Sequence, residues 1–182
     1  MDLYHELYNC LLFRDMEREE AESIIGLLDG KIKEYHKNEI VISEECKVDE
    51  IGILLSGEIC KVQYYPDGTE QMVQKLKKSY MVGLEIAVSL KKTSPYTLYA
   101  VQPSVVYWFS VRYIEEAGML SESDRVFLYQ KIVHFLANED IRKYRKIEIM
   151  SSRSVREKIE KYLQIQRIRY QSNEFDIDFN RE

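Results

Sequence analysis

The stretch "ESDRVFLYQKIVHFLANEDIRKYRKIEIM", Glu122 to Met150, contains neither glycine nor proline over about 30 residues. A run of that length without a breaker exceeds an ordinary globular helix and predicts a single long helix of the coiled-coil or intersubunit kind. Its first half is apolar nearly all round, with Val126, Phe127, Leu128, Ile132, Val133, Phe135 and Leu136. Such a helix needs two dry faces. One can lie on the chain's own β-domain. The other needs a second copy or burial inside a larger monomer, and a chain of 182 residues offers little else to cover it. A homodimer is therefore expected, with Val126, Tyr129, Val133, Leu136 and Tyr144 at its interface.

Ahead of that helix the grammar changes twice. The first 30 residues read as helical: acidic residues early in "MEREEAESIIGLLDG", a stripe of Ala21, Ile24, Ile25, Leu27 and Leu28, and Gly30 as the stop. From Lys31 onward, "KIKEYHKNEIVI" and "EIGILLSGEICKVQYY" are rich in Ile, Val and Tyr and are punctuated by Asn38 and Gly57, which predicts strands and turns. "QYYPDGTEQMVQKL" is the clearest element, a hairpin whose Asp67-Gly68 supplies positions that tolerate positive φ. Strands are expected to continue through "SYMVGLEIAV" and "PYTLYAVQPSVVYWFSV". Short strands at roughly ten-residue spacing predict a sandwich or small barrel. Beyond Met150, Ser154 with Glu157 forms a capping box that opens a fresh helix with the stripe Val155, Ile159, Tyr162, Leu163 and Ile168. "NEFDIDFNRE" then alternates like a short strand and offers Asn180 as a further N-cap.

Charge divides the chain unevenly. Residues 141–170 hold ten Lys/Arg and three Asp/Glu, while the net charge of the whole is -5. That split suits either a basic element near an anionic partner or a solvated helix on an acidic body. No segment reaches the roughly 18 apolar residues that would span a bilayer, and "MDLYHELYNC" reads as neither signal peptide nor transit peptide. Cys10, Cys46 and Cys60, odd in number and widely spaced, argue for a reducing cytosol rather than a disulfide framework.

The order and spacing of these elements resemble the Crp/Fnr family of bacterial transcription regulators over nearly the whole chain. The likeness rests on "LLSGEICKVQYYPDGTEQMVQKLKKSYMVGLEIAV", "SPYTLYAVQPSVVYWFS", the long helix running into "SSRSVREKIEKYL", and the closing "FDIDFNRE". The resemblance implies an α+β fold: an antiparallel β-roll, jelly-roll or cupin-like, with flanking N-terminal helices and a long C-terminal dimerisation helix. It implies a sensor domain over residues 1–120, the dimer helix over 121–150, and over 151–182 a hinge and the leading helix of a winged helix-turn-helix domain of which most is absent. In that frame Arg153 and Arg156 stand near DNA phosphates, and the operator is a partner of the full-length protein. The chain as given is expected to bind DNA weakly and without sequence preference.

The same resemblance places an effector site at Gly83, Leu84, Glu85, Ser94, Pro95 and Tyr96. Relatives that bind cyclic nucleotides carry Gly-Glu followed by Arg-Ser in this loop, the arginine clamping the cyclic phosphate through its paired donors. Here Leu84 stands where the glutamate is expected, Glu85 comes one place late, and Ser94-Pro95 replaces Arg-Ser. Cyclic AMP is therefore not the expected effector, although another small molecule is open. Lys91 and Lys92 are expected to face solvent, and Tyr80, Tyr96 and Tyr99 to pack in the core or line a site. No cofactor, metal or catalytic residue is expected. Three scattered cysteines do not make an iron–sulfur site, and His5, His36 and His134 lie in no supporting motif. G-x-S-x-G, P-loop, H-E-x-x-H and C-x-x-C are all missing. Two further readings remain: a sensor or protein-interaction module with no DNA binding of its own, and a cupin-type enzyme with a His/Glu metal cluster.

Overall fold

Turn residues decide where this chain reverses. The structure is a computed structural model and describes residues 3–65 and 67–176. Positive φ falls at Asp29, Asn38, Gly57, Gly68 and Gly83, each between two regular elements. Glycine, asparagine and aspartate tolerate that region better than other residues. The elements so separated are α1 (Leu3–Tyr8), α2 (Arg18–Leu27), β1 (Lys31–Tyr35), β2 (Ile40–Ile42), β3 (Glu50–Ser56), β4 (Ile59–Tyr64), β5 (Glu70–Leu76), β6 (Met81–Val82), α3 (Leu84–Ala87), β7 (Thr97–Ala100), β8 (Ser104–Ser110), α4 (Arg112–Glu115), α5 (Glu122–Met150) and α6 (Val155–Tyr170).

Two four-stranded sheets form, in the orders β1-β8-β3-β6 and β2-β7-β4-β5, with every pairing antiparallel. This is the β-roll of the expected α+β fold. Strands β3 and β8 run through the middle of the first sheet in register Ile51↔Phe109 and Ile53↔Tyr107. Ile51, Ile53, Leu54, Val106 and Phe109 are fully or almost fully buried there. The hairpin β4–β5 pairs Tyr64 with Glu70, and Asp67 Oδ1 accepts from the Thr69 N–H at 2.9 Å, as the Asp67-Gly68 signal predicts. Pro66, within that turn, lies outside the described residues.

Three expectations need correction. Residues 3–30 form two helices joined by irregular backbone, and Leu27 is about half exposed although Ala21, Ile24, Ile25 and Leu28 are buried. Gly30 is not the helix stop by virtue of its φ, since Asp29 takes the left-handed conformation (φ 44°). Gly30 is required by packing: a Cβ there would overlap the ring of Tyr107, whose hydroxyl reaches the Ile25 carbonyl at 3.4 Å. Lastly, "SYMVGLEIAV" is strand only at Met81–Val82; Gly83 (φ 73°) then turns the chain into α3, burying Leu84, Ile86 and Ala87.

The chain divides into two compact units, Met1–His134 and Phe135–Glu182, the division falling within α5. In the first unit α5 buries Leu128 and Ile132 and exposes Val126, Tyr129 and Val133. In the second, Ile141, Tyr144 and Ile147 are exposed and α6 has no buried residue. Ser154 Oγ accepts from the Glu157 N–H at 3.1 Å, while the Glu157 carboxylate answers the N–H of Arg153 rather than that of the cap itself. Of the expected strand in "FDIDFNRE", Phe175 and Asp176 are irregular, with Phe175 stacked on Tyr170 at 5.5 Å. The remainder, including Asn180, lies outside the described residues. No helix among the described residues is long and apolar enough to cross a membrane.

Gly57 gives a sharp test of the β3–β4 turn. It has φ 90°, and a Cβ there would overlap Ser104 Oγ and lie 2.5 Å from the Pro103 carbonyl oxygen. Gly118 has a similar φ of 92° with nothing within 4 Å. Gly118→Ala is expected to cost about 1–2 kcal/mol from backbone strain alone, and Gly57→Ala about 3 kcal/mol or more. Equal urea midpoints for the two variants would contradict the packing account.

Candidate functional site

A lysine sits in the middle of an apolar strand. In β4, Ile59, Cys60 and Val62 are buried, and Lys61 between them is buried too, its side chain only 6% exposed. Lys61 pairs across the sheet with Leu98 of β7, on the strand that Tyr96 leads into. Its ammonium lies 4.2 Å from the centroid of the Tyr96 ring and 2.5 Å from Glu85 Oε1. The Tyr96 hydroxyl donates to that same carboxylate oxygen at 2.5 Å.

The helical turn α3 supplies the carboxylate. Gly83 in the left-handed conformation starts the turn, and the Ile86 and Ala87 N–H groups donate to its carbonyl at 3.1 and 2.9 Å. Successive residues on a helix differ by about 100° in direction. The one-place offset of the glutamate therefore has a physical outcome: Leu84 goes fully into the core and Glu85 turns to Lys61. Burial pushes the Glu85 carboxyl up, but the Lys61 charge, its hydrogen bond and the Tyr96 hydroxyl outweigh it and hold the group below the usual carboxylate range. Burial and the adjacent carboxylate together raise the Tyr96 phenol. The cluster is thus ammonium, carboxylate and neutral phenol. Glu85 Oε2 is out of reach of solvent, and the residue's own backbone N–H adds to the stabilisation of the carboxylate.

The other residues singled out from sequence lie as follows. Ser94 is buried, its hydroxyl donating to the Tyr96 carbonyl at 2.6 Å and its backbone exchanging bonds with Glu45 and Cys46. It holds the loop. Pro95 and Tyr96 line a cavity of about 350 Å³ with Glu85, Ile86, Ser89 and Leu90. Lys91 is exposed and its carbonyl accepts from Lys47 Nζ at 2.7 Å, whereas Lys92 reaches Glu115 at 3.0 Å. The Tyr80 hydroxyl accepts from Gln74 at 3.2 Å, the Tyr99 hydroxyl donates to Glu70 at 3.2 Å, and the Tyr96 hydroxyl donates to Glu85. Leu136 is half-buried and Tyr144 exposed on α5. Arg153 precedes α6, and Arg156 pairs with Glu160 at 2.9 Å. Among the described residues no group of His, Cys, Asp and Glu is arranged to hold a metal. Burial pushes the Cys10 thiol up to about 11 and raises that of Cys60, whereas Cys46 is exposed. Lys61 escaped the reading from sequence. Its signal was a lysine sharing strand parity with Ile59 inside an otherwise apolar run.

Because Lys61 and Glu85 leave water together, removing one strands the other. Lys61→Met is expected to destabilise the fold by about 2–4 kcal/mol, while Lys61→Met with Glu85→Leu falls within about 1 kcal/mol of the wild type. Urea denaturation of the four proteins in the cycle measures the coupling, and additive losses would show that the pair is not coupled. The pH dependence follows from the lowered Glu85 pKa. Its stabilising contribution is complete above about pH 5 and is lost as pH falls through the carboxylate range. The double variant should lose part of this acid sensitivity, read from melting temperature against pH.

Comparison with known proteins agrees with this architecture. Residues 32–119 match the cyclic nucleotide-binding domain family. No curated protein sequence matches the chain. Among solved structures, the chain is similar to a cyclic nucleotide-binding domain from Methylobacillus flagellatus KT, with 13% identity, a TM-score of 0.72, and 84% of this chain and 86% of that one covered. It is similar to the N-terminal domain of a transcriptional regulator from Streptomyces coelicolor A3(2), at 17% identity and TM-score 0.57, covering 85% and 98%. It is also similar to the sensor domain of the transcriptional regulator DNR from Pseudomonas aeruginosa, at 16% identity and TM-score 0.58, covering 85% and 100%. Residues 32–119 thus match the cyclic nucleotide-binding domain family, in a chain whose fold is similar to sensor domains of transcriptional regulators.

Proposed function

We propose that this chain is the sensing and dimerising part of a Crp/Fnr-type transcription regulator that does not read a cyclic phosphate, with no catalytic activity, acting in the cytosol. One observation carries the reading: the charged side chains at the ligand position, Lys61 and Glu85, neutralise each other at 2.5 Å. Where a phosphate clamp would stand, Ser94 spends its hydroxyl on the loop and Pro95 has no N–H to offer. A cyclic nucleotide would have to bury its phosphate without a paired donor, and burying an uncompensated charge is strongly unfavourable.

Residues 1–120 act as the sensor, 121–150 as the dimer helix and 151–182 as the hinge and entry to a DNA-binding domain. The exposed Val126, Tyr129, Val133 and Tyr144 support a second copy along α5, since apolar side chains at helical spacing are otherwise left in water. Arg153 and Arg156, at the start of α6, would then face DNA phosphates. A signal at the Glu85 loop shifts the balance between two packings of the dimer helix by binding one of them better.

Two measurements test this reading. Isothermal titration with cyclic AMP up to about 1 mM should show no saturable heat; binding in the micromolar range would overturn it. Sedimentation velocity should find a dimer that Val133→Glu converts to monomer without loss of helical signal. A monomeric wild type would remove α5 as the dimer helix.

A further inference from the structure

A second cavity, of about 470 Å³, is lined by the edge strands β1 and β2 and shares no lining residue with the one beside Glu85. Its floor is apolar: Tyr35, Ile42, Val48 and Trp108 are all buried. Its rim is charged, with Lys31, Lys33, Lys47, Asp49 and Glu50 all exposed.

Strand geometry sorts these charges into two poles. Alternate residues of a strand share a face, so Lys31 and Lys33 stand on β1 with Tyr35. Directly paired residues share a face as well: Lys31 is opposite Trp108 of β8, and Trp108 is opposite Gly52 of β3, two residues from Glu50. The order β1-β8-β3 sets the basic and the acidic strand two spacings, about 10 Å, apart. Gly52 makes room for what lies between them, since a Cβ there would come within 2.9 Å of the Trp108 ring.

The poles do not neutralise each other. Among the described residues Lys31, Lys33 and Glu50 have no ion pair. The Lys33 ammonium rests 4.5 Å from the Tyr35 ring centroid. Lys47 is engaged elsewhere, its ammonium donating to the Lys91 carbonyl at 2.7 Å, and Asp49 has the Arg112 charge near it. An anion in this cavity gains at the lysines alone, and a cation at Glu50 alone. A molecule with both charges, one at each end of a hydrocarbon chain, gains at both and covers the apolar floor.

We propose that this cavity is a binding site for a small linear zwitterion, an ω-amino acid, with its carboxylate at Lys31 and Lys33, its ammonium at Glu50 and its chain over Trp108. The site is separate from the Glu85 loop, and the proposal goes beyond the regulator reading without depending on it.

Three probes of one chain length test it, titrated into the full chain with binding followed by ligand-observed NMR: 6-aminohexanoate, hexanoate and hexylammonium. 6-Aminohexanoate should bind saturably and at least about threefold tighter than either of the others, the range that one exposed ion pair supplies. Glu50→Gln should abolish its advantage over hexanoate and keep that over hexylammonium; Lys31→Gln with Lys33→Gln should do the reverse. These side chains are exposed, so unchanged urea midpoints are expected for both variants. The K61M/E85L variant should bind 6-aminohexanoate as the wild type does. Equal binding of hexanoate or hexylammonium by the wild type, no saturable binding of 6-aminohexanoate, or advantages that survive both sets of substitutions would each overturn the zwitterion site. Loss of binding in K61M/E85L would overturn its placement between β1 and β2.

Discussion

A buried ammonium sets the terms for the rest of the β-roll. Lys61 lies between apolar neighbours in β4 with almost none of its side chain in water. Moving an ion of that size into a low-dielectric interior costs several kcal/mol even after relaxation, so the fold must supply a carboxylate at hydrogen-bonding distance. The segment from β6 to β7 does this. Gly83 breaks the strand, α3 carries Glu85 around to Lys61, and Ser94 anchors the return so that Tyr96 arrives above the pair. The loop geometry and the strand lysine each make sense only with the other.

What could be read from the sequence follows from how local each cause is. The β4–β5 hairpin, the capping of α6 by Ser154 and the long α5 are written in neighbouring residues, and all three stand in the structure. The role of Gly30 was hidden because its cause is Tyr107, far along the chain, whose ring takes the space of a Cβ. α3 was hidden for a related reason: "GLEIAV" has the β-branched and apolar content of a strand, and only the left-handed Gly83 shows that the chain turns. Lys61 is the instructive miss. Alternation identifies a strand's wet face when one face is wet, but β4 is buried on both faces from Ile59 to Val62, so its pattern carries no such contrast.

The candidate site was half legible. The resemblance pointed to the Glu85 loop and, through the missing arginine, argued against a cyclic phosphate there. Residue-by-residue transfer went no further because one position of slippage on a helical turn changes which side chain faces the interior. Leu84, standing where a ligand carboxylate would be, is fully buried, while Glu85 took up a partner of its own. A motif written as a string does not express this, whereas the turn of about 100° per residue does.

The internal ion pair also changes which force this loop can exert on its surroundings. A clamp of free donors around a phosphate draws its affinity from charge and is screened by salt. Here the Lys61 and Glu85 charges are spent on each other, and the cavity beside Glu85 offers a largely hydrocarbon wall. Such a wall attracts only through apolar area removed from water, which does not act beyond contact. The segment between β6 and β7 thus spends its one buried carboxylate on holding the fold together, and what it leaves at the surface beside Glu85 is chiefly hydrocarbon.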